Sequence, residues 1–165
     1  MDIKRIFRHL LTTHWQVNRA FPRKTMNAIE KSIKASETTH IGEIRFVVEG
    51  ALDGAPLFKG QSARERAIDV FSQMRIWDTE HNIGVLIYLL IADRAVEIIA
   101  DRGIHAAAGS REWESICHKM ETSFKKANYE VGVVSGIQAI TQHLTIHFPA
   151  TSNGSNELPN KPVLI

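Results

Sequence analysis

The spacing of apolar positions divides the chain into successive elements. Ile3, Ile6, Phe7, Leu10, His14 and Trp15 recur at helical spacing, and Lys4, Arg5 and Arg8 occupy the remaining surface. They predict one basic amphipathic helix, ended by Phe21-Pro22 and docked on the domain through Ile6, Phe7 and Leu10 rather than inserted in a membrane. Thr25 suits an N-cap for a second helix running through Ile29 and Ile33 to about Glu37. Residues 42–49 alternate early and end fully apolar, as a central strand does, and residues 50–60 (GALDGAPLFKG) read as a loop. Ser62 can cap a helix over 63–76 that turns Ala63, Ala67, Val70, Phe71 and Met74 inward.

The most informative stretch follows. Residues 83–91 form a nearly unbroken apolar run, the pattern of a strand buried on both faces. Ala92-Asp93-Arg94 interrupts it, and residues 96–100 resume as a second strand. An interruption this short leaves no room for a crossover helix, so the pair should be an antiparallel hairpin. Two more helices are predicted, one after Ser110 (Trp113, Ile116, Cys117, Met120, Phe124) and one over 129–148 (Val133, Ile137, Ile140, Leu144). The tail from Ala150 is polar and contains proline, and should be extended or disordered.

This order predicts an α/β fold, a three-layer α/β/α sandwich around a small mixed sheet. Strand 43–49, helix 63–76 and strand 83–91 make a right-handed βαβ unit with parallel strands. Three segments result: an N-terminal helix over 1–22, an α/β/α domain over 23–149 and a tail over 150–165.

The same topology gathers polar residues. Asp78-Thr79-Glu80-His81-Asn82 and Asp101-Arg102-Gly103 flank the hairpin and should meet at one sheet edge, joined by Thr38, Thr39, His40 and Glu43. Asp78, Glu80, Asn82 and Asp101 are hard oxygen donors of the kind Ca²⁺ or Mg²⁺ takes, with Glu43 as support behind them. Asp78 and Asp101 equally suit turn caps or surface pairing with Arg102. His81 and His40 stand where acid/base groups would be useful. This edge is the amino end of the parallel strands, whereas ligands of open sheets usually sit at the carboxyl ends, which only Glu49 and Asp93-Arg94 mark.

Composition narrows the classes. An apolar fraction of 44% and a charged fraction of 23% suit an ordinary globular domain. The net charge of +2 is too small to argue for nucleic acid, and Trp15 and Phe21 near the basic residues suit packing better than base stacking on a sheet face, so no nucleic-acid partner is expected. Charge is nevertheless uneven, with eight Lys/Arg against two acidic residues in 1–34 and six against ten in 35–100. Cys117 stands alone, which leaves no internal disulfide, and it reads as a small buried hydrophobe. No apolar run approaches the roughly 20 residues of a membrane helix, and the start lacks the pattern of a secretory signal, so a cytoplasmic setting is expected. There is no G-x-S-x-G, no glycine-rich phosphate loop and no Walker lysine.

GEIRFVVE, then ARERAIDVFSQMRIWDTEHNIGVLIYLLIADRAVEIIADRGI, then YEVGVVSGIQAITQHLTIHFP resemble the TPM domain family over about residues 25–149. The most specific part is Asn82-x-Gly84-Val-Leu-Ile with Asp101-Arg-Gly-Ile beyond the hairpin. The chain looks like the bacterial branch of that family, related to thylakoid-lumen acid phosphatase-like proteins. The resemblance implies an α/β/α sandwich, divalent-cation binding (Ca²⁺ above all) and an acid phosphatase activity. Three roles are thus expected. A cation-binding accessory or interaction protein leads. A metal-dependent phosphatase, with Arg102 clamping a phosphate-containing ligand and His81 as a further catalytic candidate, comes second, and a purely structural interaction module third.

Overall fold

A computed structural model of the protein describes residues 2–151 and 156–165. Its elements are α1 (Ile3–Leu11), α2 (His14–Ala20), α3 (Arg23–Ser36), β1 (Glu43–Glu49), α4 (Gly54–Phe58), α5 (Ala63–Gln73), β2 (Gly84–Leu90), β3 (Ala95–Ala100), α6 (Arg102–Ala108), α7 (Ser110–Lys125), α8 (Tyr129–His147) and β4 (Val163–Leu164). The sheet order is β3-β2-β1-β4. β1 and β2 run parallel from Glu43↔Gly84 to Glu49↔Leu90, and β2 pairs antiparallel with β3 from Val85↔Ala100 to Leu90↔Ala95. The predicted βαβ unit and hairpin are both present.

Side-chain alternation splits the core in two. Ile44, Phe46 and Val48 of β1 share one face with Val85, Ile87 and Leu89 of β2 and with Val96 and Ile98 of β3. Ile29 and Ile33 of α3, Met120 of α7 and Ile137 and Ile140 of α8 cover that face. The other face carries Val47, Leu86, Tyr88, Leu90 and Ile99, covered by Ala67, Val70 and Phe71 of α5 and by Leu57 of α4. The result is the expected sandwich of helices on both sides of a mixed sheet. β2 is wholly buried, which explains its continuous apolar run.

Several local expectations change. The N-terminal segment is two helices rather than one, because Thr13 and Gln16 form a capping box that starts α2 anew. Thr25 lies within the first turn of α3, which begins after Pro22, and its hydroxyl donates to Glu130 instead of capping. The 50–60 loop holds α4, α5 stops at Gln73, and α6 follows β3 at once. The end of the tail pairs with the free edge of β1, Val47↔Val163 and Val48↔Leu164, while residues 152–155 lie outside the described part.

α1 docks by polar contacts. Arg5 donates from Nε to both Asp93 oxygens at 3.0 Å and from Nη2 to Oδ2 at 2.7 Å, with a further bond to the Gln61 carbonyl at 2.7 Å. His9 Nδ1 accepts from the Leu52 backbone N–H at 2.9 Å, which leaves Nε2–H to donate to Asp93 Oδ1 at 3.0 Å. Burial alone would raise the Asp93 pKa, but the bonds from Arg5 and His9 hold it below the ordinary value. Phe7 and Leu10, expected to anchor the helix, are 59% and 65% exposed, and only Ile6 packs partly on the core.

Two stability predictions follow from these contacts. Leu86→Ala, at a fully buried position of β2, should cost on the order of 2–5 kcal/mol in urea unfolding. Asp93→Ala strips Arg5 and His9 of their partner and should cost on the order of 3 kcal/mol, against under about 0.5 kcal/mol for Phe7→Ala. Equal costs would mean that α1 is held by its apolar stripe after all.

Candidate functional site

The amino edge of the parallel strands is built by close backbone approach. A Cβ on Gly84 would lie 2.0 Å from the Ile76 carbonyl oxygen, and one on Gly103 would lie 2.7 Å from the Asn82 carbonyl oxygen. Both glycines of the Asn82-x-Gly84 and Asp101-Arg-Gly103 motifs therefore let the 76–83 segment lie flat against β2 and the start of α6. Gly103 N donates to the Asn82 carbonyl at 3.1 Å, and Asp101 N to the Gly84 carbonyl at 2.8 Å. Asn82 takes a left-handed backbone, φ 55°, to make the turn.

Of the residues expected there, Asn82, Asp101 and Arg102 come together. Arg102 Nη2 donates to Asn82 Oδ1 at 3.0 Å, and Asp101 Oδ1 accepts from the Arg102 backbone N–H at 2.7 Å as the N-cap of α6. Asp101 Oδ2 is buried and has no hydrogen-bond partner among the described residues. Asp78 and Glu80 are exposed on the adjoining turn, and the Glu80 backbone N–H donates to the Glu157 carboxylate at 3.1 Å. His81 is also exposed, 3.9 Å from Glu80. Among the described residues no three His, Cys, Asp or Glu side chains stand close enough to hold one metal ion.

Glu43 and His40 are placed differently from expectation. Glu43 is 3% exposed and accepts from the backbone N–H of Glu157 at 2.9 Å and of Leu158 at 3.3 Å, so it ties the tail down. Burial raises its pKa against those two bonds. His40 is 2% exposed and its two ring nitrogens find no hydrogen-bond partner among the described residues. Burial lowers its pKa to about 4, so it is neutral near pH 7. Thr38 and Thr39 bond back to the last carbonyls of α3.

The sequence conceals two members of this edge, Glu37 and Glu157, and a third charged group, Arg45. Arg45 is 5% exposed on β1, beside Glu37 and Glu43, and its guanidinium reaches the Lys161 carbonyl at 3.3 Å. Alternation along 42–49 puts Glu43, Arg45 and Glu49 of β1 on one face. What meets Glu43 and Arg45 there is the tail, 114 residues further on from Glu43 at the Glu157 contact, and no local pattern reports it.

The carboxyl edge uses its acids internally. Glu49 accepts from Arg66 Nε at 2.8 Å and Nη2 at 3.1 Å, and from the Tyr88 hydroxyl at 2.7 Å. Among the described residues no helix is long and apolar enough to cross a membrane.

Comparison with known proteins agrees with the fold. Residues 18–143 match the TPM domain. The NMR structure of BA42 protein from the psychrophilic bacterium Bizionia argentinensis superimposes with a TM-score of 0.76 at 28% identity, covering 86% of this chain and 93% of that one. The solution structure of the N-terminal domain of a P. gingivalis protein, at 18% identity, shares the fold with a TM-score of 0.61, covering 78% and 81%. No curated protein matches the chain in sequence.

Glu37 makes the electrostatics of this edge measurable. Burial first, and the Glu43 charge next, push its pKa from 4.5 to about 7. Between those pH values the folded protein keeps a proton that the unfolded chain has lost. Stability should therefore fall as pH rises from 4.5 to 7, by up to about 1.4 kcal/mol per pH unit, and level off above. Glu37→Gln should remove that slope in urea unfolding at pH 5 and pH 7.5. Parallel pH profiles for the two proteins would show that Glu37 ionises normally.

Proposed function

The chain belongs to the TPM domain family, and on that premise we propose that it is an accessory binding protein that takes up Ca²⁺ or Mg²⁺ at the edge formed by residues 78–82 and 101–102. One observation carries the reading: the second carboxylate oxygen of Asp101 is buried and has no hydrogen-bond partner among the described residues. Asp78 and Glu80 on the adjoining turn supply further hard oxygens, and Glu157, held on the Glu80 backbone, adds negative charge. Because no three carboxylates converge among the described residues, the donors fit a cation that keeps much of its water, as Mg²⁺ does when one or two carboxylates hold it. Glu43 acts behind this edge by fixing the tail that presents Glu157. A cytoplasmic setting belongs to the same reading.

Arg102 favours a second reading. Its guanidinium lies on Asn82 at the same edge and could clamp a phosphate ester that the cation polarises, with His81 beside it for proton transfer. That protein would be a phosphatase.

Millimolar Ca²⁺ or Mg²⁺ should raise the melting temperature by several degrees, since a ligand at one hundred times its dissociation constant adds about 2.7 kcal/mol. Asp101→Asn keeps an N-cap for α6 but removes the charge, and should abolish most of the rise while leaving the metal-free melt almost unchanged. Cation-dependent hydrolysis of an aryl phosphate, lost in Arg102→Ala, would select the phosphatase. A melt indifferent to both cations would remove both readings in favour of a structural interaction module.

A further inference from the structure

At the opposite end of the sheet, beyond the carboxyl end of β2, a groove of about 590 Å³ opens between the α1–α2 corner and the α7–α8 corner. Its volume is that of a small-molecule site, roughly 300–1,000 Å³, and it occupies the end of the parallel strands where open α/β sheets usually bind ligands. The floor is apolar. Leu89 and Ala92 are 1% and 5% exposed, and the Phe124 and Tyr129 rings stack beside them, 5.4 Å between centroids.

The rim is cationic. Arg8, Arg94 and Lys125 all line the groove, with Glu121 as its one acidic side chain. Glu121 is already engaged, by the Val96 backbone N–H at 3.1 Å and by His118 at 3.4 Å. Arg8 lies 3.6 Å from Asp93, but that carboxylate is already bonded to Arg5 and His9, and the Arg8 side chain remains 52% exposed. Arg94 and Lys125 form no ion pair among the described residues. Arg94 is exposed and itself takes a left-handed backbone, φ 54°, at the hairpin tip.

A greasy floor under unspent positive charge selects one chemistry. We propose that this groove binds a small amphiphilic anion, a carboxylate with an aliphatic or aromatic tail, the head meeting Arg94 and Lys125 and the tail lying on Leu89, Phe124 and Tyr129. The site is separate from the cation edge, which lies at the other end of β2, and neither depends on the other.

Sodium decanoate below its micelle concentration, titrated by calorimetry and by amide NMR shifts, is the test. Decanoate should bind saturably and shift residues 89–94 and 124–129, while decanol and decylammonium bind at least tenfold more weakly. The double variant Arg94→Ala/Lys125→Ala changes only exposed side chains and should keep the wild-type melt. It should weaken decanoate about tenfold or more, since each hydrogen bond to a charged group is worth that order, and added salt should weaken binding as well. Arg111→Ala/Lys119→Ala, on α7 away from the groove, should change nothing. Equal binding of decanol, equal binding by the double variant, or no saturable binding would each overturn the proposal. So would shifts confined to the exposed Phe7, Leu10 and Trp15 stripe, or sedimentation with anionic vesicles without any decanoate binding, which would make this a membrane-facing surface.

Discussion

The fold depends on β2 having no face and no edge left over for water. It pairs in parallel with β1 and antiparallel with β3, and each of its seven residues is buried. Both helical layers are arranged around that demand. α3, α7 and α8 cover one side of the sheet, and α5 with α4 covers the other. A strand that buries both faces forces its neighbours into register, because a one-residue slip would exchange the two faces. The hairpin and the βαβ crossover are then the only short connections that bring β1 and β3 to its flanks.

β1 obeys a different constraint on its two faces. Ile44, Phe46 and Val48 enter the larger core, while Glu43, Arg45 and Glu49 are buried on the opposite side. Buried charges persist only when partners meet them. Glu49 is met by Arg66 and Tyr88, and Glu43 by the backbone of the tail. Arg45 sits between Glu37 and Glu43 and reaches the Lys161 carbonyl. The C-terminal segment is thus a structural part of the domain, meeting Glu43 and Arg45 on the face that α5 shares and adding β4 to the free edge of β1.

The two ends of the sheet differ in charge and in what remains available. At the amino edge, carboxylates crowd. Glu37 and Glu43 both have raised pKa values, and one Asp101 oxygen has no hydrogen-bond partner among the described residues. At the carboxyl edge the acids Glu49 and Asp93 are consumed in tight pairs, which leaves Arg8, Arg94 and Lys125 around an apolar groove. One chain thereby presents a carboxylate-bearing edge and a cation-rimmed apolar groove at opposite ends of β2. Glycine makes the first possible, since Gly84 and Gly103 admit backbone where any side chain would clash.

Much of this was legible in the residues alone, wherever a short-range pattern carries the information. Hydrophobic period distinguished the strands from the helices, and the short interruption at 92–94 required a hairpin, which led to the sheet topology and the meeting of Asn82 with Asp101 and Arg102. What the sequence could not report were contacts between segments far apart in the chain. The capping box at Thr13 that splits the N-terminal helix is a local signal outweighed by the helical spacing around it, whereas Asp93, 88 residues from Arg5, holds α1 in place of its apolar stripe. The tail, polar and proline-containing, reads as extended or disordered, and nothing local in it shows that it satisfies Glu43 and Arg45. Amphipathic patterns name the face an element could bury, but only tertiary packing decides whether a charged partner, an apolar layer or solvent meets that face.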